Sequence, residues 1–431
     1  MNKKKIAFQT FGCKLNFAET SAIARKFRAS EYETVDFMEN ADFYIVHSCT
    51  VTAHAEKKTR AAIRQALRKN PEASVAVIGC YSQLRPDEIG LINGVDIILG
   101  NNDKYRLPEY IDDISKRKAE KASLQNRPKD FEPGYSIGDR TRSFFKVQDG
   151  CDYFCTYCAI PYARGRSRSA DIASTIEVAR QIAETNIREI VLTGVNIGDF
   201  GRQHGETFLG LLQELDRLDG IDRIRISSVE PELLNDDIII LVARSNRLMP
   251  HFHIPLQSGT DRVLELMKRK YKREVFESRV RLIKELMPHA CIAADVITGF
   301  PGETDEDFLD TFRFIESLPV SYLHVFTYSK RPGTKAAQME EQIPEQVKQE
   351  RSKLLHRLSE EKKAAFYAEN RGSVQEVLWE SDINRGFMTG FSGNYIHCKK
   401  PYDKDSVNRI EKVTLLEPDK DGIFLVKPCA E

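Results

Sequence analysis

The stretch Cys151-Asp152-Tyr153-Phe154-Cys155-Thr156-Tyr157-Cys158 crowds three thiols into eight residues, in a chain with nine cysteines among 431 residues. Three and then two residues separate successive cysteines. A short loop with that spacing can wrap one face of an iron–sulfur cluster, because several thiolates share the charge of the iron ions. Three ligands leave one iron of a four-iron cube unfilled, and an unfilled coordination position is where a metal centre does chemistry. The competing reading is a structural zinc site with a distant fourth ligand, His204 or His253. Zinc knuckles come as pairs of CxxC, whereas the first gap here is CxxxC, which favours the cluster.

Three more cysteines are placed by a different logic. Residues 4–10, 42–47 and 74–79 predict strands, closed by Cys13, Cys49 and Cys80, with a helix between each pair. The pattern is βαβαβ, so the sheet is expected to be parallel. Ligands of an open parallel sheet sit outside the carboxyl ends of its strands. Cys13, Cys49 and Cys80 should therefore meet on one edge without any local motif. Buried cysteines are common in cores, but three at equivalent strand ends point to ligands of a second cluster, again with one iron free. The helix after Cys49 carries Lys57, Arg60, Arg64 and Arg68 on one face. Such a stripe is either a solvated face or a track for an RNA backbone.

The totals narrow the function classes. Lys+Arg and Asp+Glu stand at 64 each, so any nucleic-acid surface must be a local patch rather than a global field. No stretch approaches the ~20 apolar residues of a membrane span, and no apolar segment follows the basic start, so no secretion signal is expected. An odd number of cysteines with two triads argues for metal in a reducing cytoplasm rather than for disulfides. The expected divisions are an N-terminal α/β domain at 1–125, a central domain at 140–370 and a small all-β domain at 371–431. A charged connection runs from about 114 to 140.

In the central domain, helices alternate with strands predicted at 143–148, 189–193, 223–227, 251–254, 292–297 and 322–326. Six such units describe an incomplete parallel barrel, whose working residues cluster at the carboxyl ends of the strands. Polar or glycine-bearing turns fall there: Thr193-Gly194-Val195-Asn196, Ser228-Val229-Glu230, Gln257-Ser258-Gly259 and Thr298-Gly299-Phe300-Pro301-Gly302-Glu303. Glycine lets backbone approach a ligand closely. Arg164, Arg166 and Arg168 beside Tyr162 suit phosphate and base contacts. The run Lys268, Arg269, Lys270 offers either a second RNA contact or a solvated face. Residues 344–370 predict a long amphipathic helix carrying Leu354, Leu355, Leu358, Phe366 and Tyr367. Five short strands beyond Gly372 predict an oligonucleotide-binding type of barrel, with Phe391, Tyr395 and Lys399 as candidate stacking and neutralising residues. Cys291, Cys398 and Cys429 lie outside the two triads and are left as structural or incidental.

CxxxCxxC with Tyr157 before its last cysteine resembles the signature of the radical S-adenosylmethionine enzymes. The two triads together resemble the methylthiotransferases over essentially the whole chain. Within them, Gly12-Cys13-Lys14-Leu15-Asn16 is most similar to the tRNA enzymes acting on threonylcarbamoyladenosine (the MtaB type). The isopentenyladenosine and ribosomal-aspartate enzymes tend to carry other residues there. The resemblance implies a radical S-adenosylmethionine barrel, a closing TRAM-like domain, two 4Fe-4S clusters and S-adenosylmethionine as methyl donor and radical source. Cys151, Cys155 and Cys158 would hold the radical-generating cluster. Tyr157, Thr193, Gly194, Asn196, Ser228, Glu230, Gln257 and Asp295 would contact the cofactor. The implied partners are a tRNA anticodon loop, an electron donor such as flavodoxin or ferredoxin, and a sulfur donor. The expected product is the 2-methylthio derivative of threonylcarbamoyladenosine 37. The rival from another class is a zinc-stabilised, non-catalytic RNA-binding protein.

Overall fold

The computed structural model describes residues 3–50, 53–114, 128, 130–137 and 141–429. The first sheet contains β1 (Lys4–Thr10), β2 (Tyr32–Val35), β3 (Phe43–Ser48), β4 (Ser74–Gly79) and β5 (Ile97–Leu99), ordered β2-β1-β3-β4-β5. All of its pairings are parallel. The apolar runs of β3 and β4 are buried on both faces, as sandwiching by helices requires. Strands β2 and β5 were not expected from sequence. They are four and three residues long, too short for periodicity to declare them.

The central barrel is built from β7 (Arg142–Lys146), β8 (Glu189–Thr193), β9 (Arg223–Ile226), β10 (His251–Gln257), β11 (Cys291–Thr298) and β12 (Tyr322–Thr327). The short β6 (Gly134–Tyr135) adds antiparallel to β7, inside a stretch expected to be connection; most of that connection lies outside the described residues. Parallel pairing is continuous within β7-β8-β9 and within β10-β11-β12. Bridges Ile224–Leu248 and Ser228–His253 join the two halves.

Strand alternation sorts this barrel's side chains. One set, including Phe145, Ile190, Leu192, Ile224, Ile226, Phe252, Ile254, Ile292, Ala294 and Leu323, packs under the surrounding helices as the main core. Because successive side chains point to opposite faces, the intervening residues face the lumen. They include Arg142, Glu189, Arg225, His251, His253, Asp295 and His324, a polar interior by the same count that makes the outside apolar.

The helix Glu345–Asn370 ties two cores together. Leu355 and Leu358 join the barrel core, while Phe366 and Tyr367 join the core of the C-terminal domain. Leu354, grouped with them from spacing, is 38% exposed and belongs to neither. The C-terminal strands β13 (Val374–Asn384), β14 (Phe387–Ser392), β15 (His397–Pro401), β16 (Ile410–Pro418) and β17 (Phe424–Pro428) close into a barrel ordered β13-β14-β15-β17-β16. Cys291 and Cys398 lie buried in its core. No helix among the described residues is long and apolar enough to cross a membrane.

Candidate active site between two cysteine triads

Cys13 caps the helix Lys14–Ala24, Cys49 directly follows β3, and Cys80 opens the helix Cys80–Leu84 after β4. Gly12, at φ +102°, draws the first two together. A Cβ there would stand 2.8 Å from both Cβ and Sγ of Cys49 and 3.2 Å from Asn16 Nδ2. Asn16 fixes the loop by donating to the Phe11 carbonyl at 2.8 Å and the Ser48 carbonyl at 3.3 Å. Asn101 Nδ2 lies 3.5 Å from Cys80 Sγ, and Cys13 and Cys80 are within electrostatic reach of each other. The three strand-end thiols are thus gathered at one edge of the sheet, with Gly12 packed too closely on Cys49 to admit a Cβ, and three thiols so placed are a donor set of the kind that holds an iron–sulfur cluster.

Cys151, Cys155 and Cys158 occupy the loop after β7, and each lies in the field of the others. Burial pushes the Cys151 and Cys158 thiols up to about 12. Seating a metal group here must therefore displace protons. Zinc would draw its sulfurs to roughly 4 Å of one another, given Zn–S bonds of about 2.3 Å. Among the described residues, the group of metal-ligating side chains drawn within 4.8 Å is His253, Asp295 and His324, without a cysteine. Neither histidine weighed as a fourth zinc ligand serves: His204 contacts the Ser169 carbonyl and His253 pairs with Asp295.

The expected cofactor contacts surround this loop. Gln148, following β7, accepts at Oε1 from the amides of Val195 and Asn196 at 2.9 and 2.8 Å. A Cβ on Gly194 would sit 2.8 Å from that same oxygen. Asn196 is buried with its Oδ1 unsatisfied, and Thr193 is buried at the end of β8. Such an orphaned acceptor calls for a ligand donor. Ser228 bridges to His253 in the neighbouring half of the barrel. Gln257 takes φ +64°, strain of the kind that clusters at ligand sites. With Tyr157, Cys158, Asp295, Phe326 and Tyr328 it lines a cavity of about 260 Å³. The hydroxyls of Tyr328 and Thr298 are buried and unpartnered beside it.

Three arginines expected to meet RNA are committed elsewhere. Arg269 is buried, ion-paired with Glu230, 3.2 Å from Cys155 Sγ and 3.5 Å from the Tyr157 hydroxyl. Burial raises the Glu230 carboxyl to about 7 despite that arginine. Arg164 and Arg168 are buried in a second network. Arg164 grips both oxygens of Glu19 at 3.0 Å, and also meets Asp149 at 3.0 Å and Asn16 Oδ1 at 2.6 Å. Arg168 meets Asp149 at 2.9 Å. Lys104 and Lys146 complete the set on Glu19, at 2.5 and 2.9 Å. Burial pushes Glu19 up, but Arg164, Lys104 and Lys146 outweigh it and hold its carboxyl well below the usual range. Desolvating a guanidinium is too costly unless carboxylates take it, so these arginines are unavailable to phosphate. Arg166, Lys268 and Lys270 remain exposed, as do Lys57, Arg64 and Arg68; Arg60 instead donates to the Tyr81 hydroxyl at 2.7 Å. Phe391 and Tyr395 also turn inward: Arg142 stacks over Phe391 at 4.6 Å, and Arg225 over Tyr395 at 4.7 Å. Lys399 is neutralised by Asp419.

The networks also dock the two cysteine-bearing domains. Arg164 belongs to the helix Ile160–Arg164, which starts two residues beyond Cys158, and reaches Asn16 beside Cys13. On the other flank Arg331 bonds Glu56 at 2.8 Å and the Thr50 carbonyl at 3.4 Å, next to Cys49. Each triad is thus tied to the other by buried charge. Glu19, Asp149, Lys146 and Arg331 had escaped notice in the sequence; the one available signal was a lysine inside the apolar run of β7.

Sequence comparison places the chain among known proteins. Residues 5–100 match the model of an uncharacterized protein family, UPF0004, and residues 145–315 that of the radical SAM superfamily. The chain is 40% identical to the threonylcarbamoyladenosine tRNA methylthiotransferase MtaB of Bacillus subtilis, over 97% of this chain and 96% of that protein. The chain belongs to the radical S-adenosylmethionine methylthiotransferase family. The MtaB of Aquifex aeolicus is 39% identical over 87% of this chain and 92% of its own length. The tRNA-2-methylthio-N(6)-dimethylallyladenosine synthase of Bacillus subtilis is 34% identical over 96% and 83%. Among solved structures, the radical S-adenosylmethionine methyltransferase TsrM of Kitasatospora setae shares the fold, with a TM-score of 0.57 at 16% identity, covering 78% of this chain and 77% of that one.

Proposed function

We propose that this methylthiotransferase replaces the C2 hydrogen of threonylcarbamoyladenosine 37 in tRNA by a methylthio group. The observation that supports the reading is the docking of the two cysteine-bearing domains through Arg164 and Arg331, which bond residues beside Cys13 and Cys49. The C2–H of an adenine is not acidic, so no general base at neutral pH can remove its proton. When bound, two 4Fe-4S clusters and S-adenosylmethionine supply the hydrogen-abstracting radical, the sulfur and the methyl group.

The chain's own residues then have separable tasks. Cys151, Cys155 and Cys158 would hold the radical-generating cluster, with Arg269, 3.2 Å from Cys155 Sγ, as the nearby positive charge. Cys13, Cys49 and Cys80 would hold the second cluster, whose chemistry would be the supply of sulfur. Tyr157, Asn196, Glu230 and Gln257 bind the nucleoside and methionine parts of the cofactor, with Thr193, Gly194, Ser228 and Asp295 shaping the walls. Arg166, Lys268 and Lys270 are the basic residues left for tRNA phosphates, and the C-terminal barrel acts as a TRAM-like module. The division into 1–125, 140–370 and 371–431 follows these tasks. A tRNA substrate supports a cytoplasmic reaction, for which the proposed partners are an electron donor such as flavodoxin or ferredoxin and a sulfur donor.

Nucleoside mass analysis of tRNA from a strain lacking the gene tests this. Loss of the 2-methylthio derivative of threonylcarbamoyladenosine, with its precursor accumulating, is the expected result. Loss of the isopentenyl counterpart instead, or of neither, would overturn it.

A further inference from the structure

Lys14 sits where a cation is hard to justify. It is the first residue of the helix Lys14–Ala24, where the helix dipole disfavours positive charge. It is half-buried, with Arg225, Arg142 and the Glu189 carboxylate as its charged neighbours in the lumen. Both arginines have their own carboxylates: Arg225 pairs with Glu189 at 3.1 Å and Arg142 with Glu380 at 2.7 Å. Lys14 has no hydrogen bond or ion pair among the described residues.

Its surroundings are the lumen. Lys14 lies within electrostatic reach of His251 and His324, which face inward from β10 and β12. The His324 and His253 rings are 4.9 Å apart, and His253 bonds Asp295 at 2.6 Å. His324 is exposed, as is Phe326 at 45%, so the lumen is open at this point. Asp295 also lines the cavity beside Cys158, while Lys14 adjoins Cys13. Lys14 therefore faces the lumen from one residue beyond Cys13, on the side where the histidine and Asp295 group borders the cavity beside Cys158.

The geometry points to Lys14 as the residue that receives the carboxylate of the substrate's threonyl group and so selects the anionic base over an apolar one. This rests on the reading of the substrate given above. Adenosine carries no carboxylate at this position, and an isopentenyl group offers only hydrocarbon, which would leave the ammonium buried and unpaired. The carboxylate would supply the missing counter-charge, and would hold C2 in register between the triads.

The test uses reconstituted enzyme and anticodon stem-loops carrying threonylcarbamoyladenosine 37 or its carboxamide analogue. Wild type should bind the carboxylate loop roughly 10- to 100-fold more tightly than the carboxamide, the range of a charge-assisted contact. Lys14→Met should abolish that preference at unchanged iron content, and Lys14→Arg should keep part of it. Equal affinity of wild type for both loops, or an undiminished preference in Lys14→Met, would overturn the inference. Should Lys14→Met lose iron, the wild-type comparison alone decides, since it alters only the ligand. A wild type that binds with this preference but never methylthiolates the carboxylate loop would instead sink the functional reading.

Discussion

At the scale of single residues, the two triads should fail in different ways. Cys155→Ala removes one of three ligands from the loop after β7, and S-adenosylmethionine cleavage, measured as 5′-deoxyadenosine, should fall to background. Cys49→Ala leaves that loop intact, so cleavage should persist while methylthiolated base disappears. Normal tRNA modification by the Cys49 variant would dispose of the second cluster. Gly12 offers a finer probe. At φ +102° and with 2.8 Å to Cys49 Sγ in the way of a Cβ, Gly12→Ala should lower iron content from eight toward four per chain, if two four-iron clusters are present. The cysteines were legible because the spacing within Cys151–Cys158, and the strand-end position of the others, are properties of the chain. Arg164, Arg168 and Arg269 were misread for the opposite reason. An arginine on a phosphate and one on a buried carboxylate look alike until Glu19, Asp149 and Glu230, up to 145 residues away, are brought beside them.

At the scale of elements, the helix Glu345–Asn370 shows what periodicity can and cannot say. Its length and position follow from the charged run with leucines and aromatics at helical spacing and from Gly372 beyond its end. Its burial does not. Leu358, 3% exposed in the barrel core, and Leu354, 38% exposed, are one turn apart. Leu358→Ala should cost about 2–5 kcal/mol, whereas Leu354→Ala should stay within roughly 0.5 kcal/mol. Urea titration of the two variants distinguishes them, and equal losses would mean that the helix packs through a different face. Strands β7 to β12 are similarly half-readable. Alternation announces two faces, and the apolar set of Ile190, Leu192, Ile254 and Ile292 marks the helix-covered side. What fills the polar side is another matter. Phe391 and Tyr395 of the C-terminal barrel stack on Arg142 and Arg225 there, rather than facing outward as a platform for bases.

At the scale of the whole molecule, the cluster around Glu19 and Asp149 makes the joint between the cysteine-bearing domains sensitive to acid. Both carboxyls are held below their ordinary values of 4.5 and 3.8. The folded form therefore stays ionised where the unfolded chain has taken up protons, so this contribution is complete above about pH 4.5 and is lost as pH falls below it. Stability measured by urea titration should drop steeply from pH 5 toward pH 3, and Glu19→Gln should flatten the drop. That variant should also lose about 3–5 kcal/mol at pH 7, because Arg164, Lys104 and Lys146 are left buried without their acceptor. A variant with the wild-type slope would place the acid sensitivity elsewhere. The sequence by itself determined the two sets of thiols, the parallel sheet that gathers Cys13, Cys49 and Cys80 on one edge, the six-unit barrel and the small barrel after it. Spacing, strand periodicity and turn chemistry are local, and they survive in a linear string. Only the tertiary structure decided which charges face solvent, which are spent on docking the cysteine-bearing domains, and that Lys14 has no hydrogen bond or ion pair among the described residues. Whether a charge is satisfied depends on the groups that surround it in space, and the chain brings those together from distant positions only when it folds.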